Sequence, residues 1–175
     1  MCIRDRCQPQ DSIVDMYKGK FQEPHPWYDN GDYGTATNPR AQFAAMITRL
    51  DTYVGQIIDK LEELGISEKT LFIFTSDNGP HNEGGADPTF FNTEERLRGL
   101  KRALYEGGMR VPYIAYWPGT IEAGSISDLM AAGWDMMPTF VELLGEDTNW
   151  REEAMDGLSI LPTLTGKGEQ RQHDF

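Results

Sequence analysis

Thr70-Leu71-Phe72-Ile73-Phe74-Thr75-Ser76-Asp77-Asn78-Gly79-Pro80-His81 is the stretch that decides the fold. Leu71 to Phe74 form an unbroken, β-prone apolar run, which predicts a strand over 70–76 buried on both faces. Gly79-Pro80 breaks that strand and turns the chain. Asp77 and Asn78 therefore fall just past the carboxyl end of an interior strand, where open α/β sheets bind ligands. Two adjacent side-chain oxygens suit a hard cation such as calcium or magnesium. The same two residues also suit an Asx turn that merely closes the strand.

Upstream, Phe43, Met46, Ile47, Leu50, Val54, Ile57, Ile58, Leu61 and Leu64 recur at spacings of three and four. That period predicts an amphipathic helix from Pro39 to Leu64. Pro39 suits its first turn and Gly65 its stop. A helix, a short loop and a buried strand make half of a βαβ crossover. Before the helix, residues 8–39 are rich in Pro, Gly, Asp, Asn and Tyr and read as irregular chain, with a short helix around Asp11 to Tyr17. Downstream, residues 79–99 form a polar loop of the kind that carries function. Val111 to Trp117 reads as a second strand, closed by Pro118-Gly119, and Glu122-Ala123-Gly124 as a turn. Residues 134–144 read as a second helix, with Asp135 in its first turn, where negative charge is favoured. The class expected is α/β: part of a mostly parallel sheet flanked by helices. Two strands are too few to complete such a sheet, so it is expected to be incomplete at both ends.

The bulk properties exclude some functions. The 175 residues carry a net charge of −12, which argues against a nucleic-acid partner. An anionic substrate stays open, because a local cation outweighs a distant field. No apolar run reaches membrane-spanning length, so no membrane partner is expected. The opening Met1-Cys2-Ile3-Arg4-Asp5-Arg6 has no apolar core and is not a secretory signal. Cys2 and Cys7, the only cysteines, lie outside every periodic segment and lack histidines at zinc-site spacing.

Several ordered motifs resemble the arylsulfatase family together. They are Ser76-Asp77-Asn78-Gly79, then Lys101 four residues before Tyr105-Glu106-Gly107-Gly108-Met109-Arg110-Val111-Pro112, then a strand ending in Trp117-Pro118-Gly119. Ala44-Ala45-Met46-Ile47, Leu50-Asp51 with Val54-Gly55, Trp134-Asp135-Met136-Met137-Pro138-Thr139 and Asp156-Gly157-Leu158-Ser159 with Leu161-Pro162-Thr163-Leu164 are similar too. The resemblance implies an alkaline-phosphatase-like fold. It makes residues 1–7 a ragged start, 8–145 the later part of a catalytic domain, and 146–175 the start of a smaller C-terminal region. It implies calcium-dependent hydrolysis of a sulfate ester, with a sulfated carbohydrate as one possible substrate and a periplasmic or extracellular location.

By the same resemblance, Asp77 and Asn78 are metal ligands and Lys101 is the sulfate-binding lysine. Without the motif, Lys101, Arg98 and Arg102 would read as a solvated basic patch; with it, Arg98 and Arg102 remain surface residues. His81 is a candidate substrate contact or proton donor to the leaving group. His25 lacks the strand that precedes the family's upstream histidine, and His173 reads as a solvated loop residue. Glu106 and Arg110 read as a structural ion pair, Gly107 and Gly108 as sites of backbone angles closed to other residues. Trp27, Tyr28, Tyr33, Tyr116, Trp117 and Trp134 read as core or rim, with Trp27, Tyr28 and Tyr33 the exceptions best suited to stacking on sugar. The family's formylglycine is made from Cys-x-Pro-x-Arg, and its other metal ligands come from an Asp-Asp pair. Neither pattern occurs in this sequence: Cys7-Gln8-Pro9-Gln10-Asp11 has Asp where Arg belongs. Formylglycine is therefore expected only in a full-length parent, and this chain alone is expected to be inactive. Two readings stand beside this one: a phosphodiesterase or phosphonate hydrolase of the same superfamily, and a non-catalytic truncated paralogue.

Overall fold

The computed structural model describes residues 11–28, 34–93, 97–145 and 155–174. The chain divides into two compact units, 1–64 with 74–114 and 65–73 with 115–175.

The first unit is built on the helix that the apolar period predicts, α2, Pro39–Glu63. Asn38 makes no side-chain cap at its start. Instead the Glu23 carboxylate accepts the amides of Arg40 and Ala41, each at 2.9 Å. A carboxylate on the first helical N–H groups satisfies orphan donors and opposes the positive end of the helix dipole. At the other end the Leu64 amide bonds the Lys60 carbonyl at 3.1 Å, and Gly65 takes the left-handed φ of 66° that lets the chain leave. Helix α1, Asp11–Asp15, lies against α2. Val14 packs on Ala41 and Ala45, whose small side chains let the two backbones approach, and Ile13, Tyr17 and Phe21 surround them. The Tyr17 hydroxyl pairs with Thr48 Oγ1 at 2.5 Å. Phe21 meets Phe90 and Phe91 edge-on, at 5.9 and 5.7 Å between ring centroids, on the one-turn helix α3, Pro88–Phe91. Arg40 fixes this corner: it pairs with Asp87 at 2.7 Å, lies 3.7 Å from the Phe90 ring centroid and donates to the Gln22 carbonyl.

The two strands are β1, Phe72–Thr75, and β2, Tyr113–Tyr116; helix α4, Glu106–Met109, precedes β2. They pair with each other in an antiparallel sheet. One expectation is corrected here: the strand over 70–76 is shorter than expected and only half-buried, with β2 as its one neighbour among the described residues. The observed pair is antiparallel and does not confirm the expected mostly parallel sheet, which needs a helical crossover between neighbouring strands. Among the described residues between β1 and β2 the helices are single turns of three or four residues. In β2, Ala115 alone is half-buried, and Tyr113, Ile114 and Tyr116 face solvent.

In the second unit the Trp117 indole donates to the Glu68 carbonyl at 2.8 Å. A tight turn at Gly133–Asp135 leads into α5, Met136–Leu143, close to the helix expected at 134–144. Asp135 does more than face the helix dipole. Only 1% exposed, its carboxylate accepts the amides of Ala132 at 2.7 Å and Leu158 at 2.8 Å, and meets His173 Nε2 at 2.8 Å. Buried Thr139 donates to the Asp135 carbonyl and accepts the Ile160 amide at 3.0 Å. Residues 132–139, 157–160 and 173 are thus tied through two buried side chains, beside α6, Leu161–Thr165. A Cβ at Gly157 would stand 2.2 Å from the Trp134 carbonyl oxygen, so the Asp-Gly-Leu-Ser segment needs its glycine for close approach.

Candidate functional site

The chain leaves β1 through a turn that holds its own backbone. Ser76 Oγ donates to the Asn78 carbonyl, and Asn78 Nδ2 donates to the Gly79 carbonyl, both at 2.9 Å. With its nitrogen engaged, the Asn78 amide presents its oxygen on the opposite side, where a cation could be met. Asp77 is exposed beside it.

Three backbone segments of the first unit meet behind this turn. The Gly79 amide bonds the Gly108 carbonyl, and the Gly107 amide the Arg98 carbonyl, both at 2.9 Å. The Lys101 amide bonds the Pro80 carbonyl at 2.8 Å. No side chain fits between these segments. A Cβ at Gly79 would lie 1.9 Å from the Gly107 carbonyl oxygen, one at Gly107 2.1 Å from that of Gly99, and one at Gly108 2.2 Å from that of Ala103. This corrects the expected role of Gly107 and Gly108. Both sit in α4 without left-handed backbone, so glycine is needed there for close approach. The left-handed positions are Gly99, at φ 95°, and Arg102, at φ 78°.

Lys101, tied by its amide to the Asp-Asn turn, directs its ammonium to Glu83 Oε2 at 3.1 Å. Arg102 meets Glu83 Oε1 at 2.6 Å. His81 Nδ1 accepts the Glu83 amide at 3.1 Å and lies 3.8 Å from Glu83 Oε2. A lone pair on Nδ1 puts the ring proton of neutral His81 on Nε2. Lys101 and His81, predicted separately, are thus brought together around one carboxylate that sequence reasoning missed. Glu83 sits in a polar loop and belongs to none of the matching motifs; its place two residues after His81 and before Gly84-Gly85 is the only signal. It is also the least exposed of the four side chains, at 14%.

The other sequence candidates fall elsewhere. Arg98 is exposed and stacks over Tyr105, 3.8 Å from the ring centroid. Arg102 is exposed as expected, but it is paired. Arg110 and Glu106 make a loose exposed ion pair at 3.7 Å. His25, Trp27 and Tyr28 are exposed on a loop. His173 is no solvated loop residue: it is largely buried against Asp135. Tyr33, Cys2 and Cys7 lie outside the described residues.

The donor types fit part of a hard-cation site. Asp77 and Asn78 supply oxygens, whereas calcium takes six to eight. Among the described residues no group of three or more His, Cys, Asp or Glu is placed to hold a metal ion. His81 and Glu83 border a cavity of about 10 Å³. A larger one, about 280 Å³, lies in the second unit between Pro138, Glu142, Ser159 and Arg171 and includes none of these residues.

Set beside known proteins, the chain matches the sulfatase family model over residues 15–146. It belongs to the sulfatase family, whose members are sulfuric ester hydrolases. It is 37% identical over 147 residues to an arylsulfatase of Hemicentrotus pulcherrimus, covering 82% of this chain and 25% of that protein. It is 38% identical to the N-acetylgalactosamine-6-sulfatase of Mus musculus, covering 73% of this chain and 24% of that one. Arylsulfatase A of Homo sapiens is 32% identical, with 93% and 31% covered. Among solved structures, Ps i-CgsB in complex with k-i-k-neocarrahexaose superposes with a TM-score of 0.70 at 25% identity, over 90% of this chain and 30% of that one. BT4656, in complex with D-glucosamine-2-N,6-O-disulfate, gives 0.59 at 26% identity, over 77% and 24%. The chain spans about a quarter to a third of the length of these relatives.

Proposed function

We propose that this chain is the part of a calcium-dependent sulfatase that supplies the sulfate-binding lysine and the second half of the metal site. Residues 8–145 would then be the later part of the catalytic domain and 146–175 the start of a smaller C-terminal region. One observation supports the reading: the Lys101 amide is bonded to the Pro80 carbonyl, two residues after Asn78, so the backbone segments that carry the lysine and the oxygen pair are joined.

The parent reaction takes R–O–SO₃⁻ and water to an alcohol, sulfate dianion and a released proton, breaking the sulfur–oxygen bond and delivering one proton of water to the leaving oxygen. Lys101 binds and orients the sulfate oxygens, where negative charge is fixed through the reaction. His81, with its proton on Nε2, would donate a hydrogen bond from it to the leaving oxygen, and the proton that oxygen gains would come from water. Asp77 and Asn78 would hold calcium, which when bound supplies a Lewis-acid contact to a sulfate oxygen. The formylglycine nucleophile has no matching motif in this sequence. Sulfated carbohydrate is the substrate class we favour, since both complexed structural relatives hold saccharides. An exported location follows the family.

The test uses the product of the complete reading frame, assayed with 4-nitrophenyl sulfate and bis(4-nitrophenyl) phosphate, with calcium and after chelation. The sulfate ester is expected to turn over faster, and Lys101→Ala to lower kcat/KM about 10²- to 10³-fold, as loss of one charge-stabilising donor does. Faster phosphodiester turnover, or an unchanged rate in Lys101→Ala, overturns the proposal.

A further inference from the structure

We propose that Glu83 is a specificity-determining counter-charge that makes the Lys101 site favour the sulfate ester over free sulfate; the inference rests on the sulfate-site reading above. Glu83 is held from both carboxylate oxygens, Oε2 by Lys101 at 3.1 Å and Oε1 by Arg102 at 2.6 Å. Its backbone amide is engaged by His81 at 3.1 Å. Holding Arg102 on this carboxylate coincides with a left-handed residue, φ 78°, in a side chain that gains nothing from that backbone. The carboxylate is 14% exposed beside a lysine that is 29% exposed, so the pair is poorly screened.

The consequence is a matter of charge. Lys101 and Arg102 against Glu83 leave a single net positive charge among these three groups. A sulfate ester carries one negative charge and matches it. Inorganic sulfate, the product, carries two. Repulsion from Glu83 is felt once by the ester and twice by the dianion. Lys101 and Arg102 without Glu83 would therefore prefer the product and release it slowly. With Glu83 in place, the ammonium keeps donors for the ester while the product is penalised.

The experiment is a calorimetric titration of the chain with sodium sulfate and with methyl sulfate at low ionic strength. Glu83→Gln keeps the side chain's size and removes its charge. The ratio of the two dissociation constants is expected to move about tenfold toward sulfate, as a nearby unit charge in a partly screened site should produce. Glu83→Asp is expected to keep the wild-type ratio. Arg102→Gln, an exposed position, moves the ratio the other way and supplies the test should Glu83→Gln fail to fold. The proposal is overturned if Lys101→Ala weakens both anions while Glu83→Gln and Arg102→Gln leave their ratio unchanged. If Lys101→Ala leaves both affinities unchanged, the sulfate-site reading itself falls and this inference goes with it.

Discussion

Replacing Gly107 by alanine puts the glycine contact behind the Asp-Asn turn to a direct test. The added methyl would stand 2.1 Å from the Gly99 carbonyl oxygen and 2.8 Å from that of Arg98, both backbone atoms. Neither can rotate away, so the segments must separate. Overpacking of this kind costs about 1–3 kcal/mol. Separation also weakens the Gly107–Arg98 and Gly79–Gly108 hydrogen bonds, each 2.9 Å, at about 1 kcal/mol apiece. Alanine returns up to about 1 kcal/mol of helix propensity in α4. The net loss is about 3 kcal/mol, a large share of the 5–15 kcal/mol typical of a folded domain. Gly55, inside α2, is the control, because a Cβ there meets nothing within 4 Å. Gly55→Ala should gain up to about 1 kcal/mol. Urea unfolding of both variants beside the wild type reads the difference: the midpoint falls for Gly107→Ala and rises for Gly55→Ala. If Gly107→Ala stays within about 0.5 kcal/mol of wild type, the expected range for an uneventful surface change, the close approach is not what fixes this glycine.

Two further outcomes follow from the corner at the start of α2. Glu23→Ala removes the acceptor for the Arg40 and Ala41 amides and should cost about 1–2 kcal/mol in a thermal melt, the usual range for a lost N-terminal cap; an unshifted melting temperature would show that water replaces the carboxylate without loss. Asp87 is held below its ordinary value of 3.8 by the Arg40 guanidinium first and the Phe90 amide second. Its folded value is thus the lower one, so the stability it contributes is present above the unfolded value and disappears as pH falls through the folded one. Asp87→Asn should flatten the wild-type loss of stability below about pH 4, and an acid limb that superimposes on wild type would count against the pairing.

What could be read from the residues and what could not divide along a physical line. Helix α2 was legible because one face repeats through 25 residues, and no tertiary contact is needed to see it. The strand at 72–75 was legible as a strand, but its partner's direction was not. An apolar run reports burial, and neither parallel nor antiparallel pairing leaves a mark in four residues. Asp77, Asn78 and Lys101 were singled out through fixed separations within motifs, and His81 through its place directly after the turn. Their mutual placement remains a proposal, supported by one hydrogen bond between main-chain atoms of Lys101 and Pro80. His173 was misread because its partner, Asp135, lies 38 residues away, and a buried acid-imidazole pair has no local signature.

Glu83 is the sharper case. Motif matching picks out residues by type at fixed spacing, so it finds groups that act in the same way wherever they occur. A counter-charge acts only through what it neutralises, and its position in the chain is set by loop geometry. Gly84 and Gly85, both left-handed at φ 63° and 78°, turn the chain so that one carboxylate can face Lys101, Arg102 and His81 together. In a chain with an overall charge of −12, one more acidic residue in a polar loop carries no weight on composition. It gains meaning only once two cations 18 and 19 positions downstream are seen to converge on it. The electrostatic character of the site therefore belongs to the fold, and it cannot be assigned from the cationic residues alone.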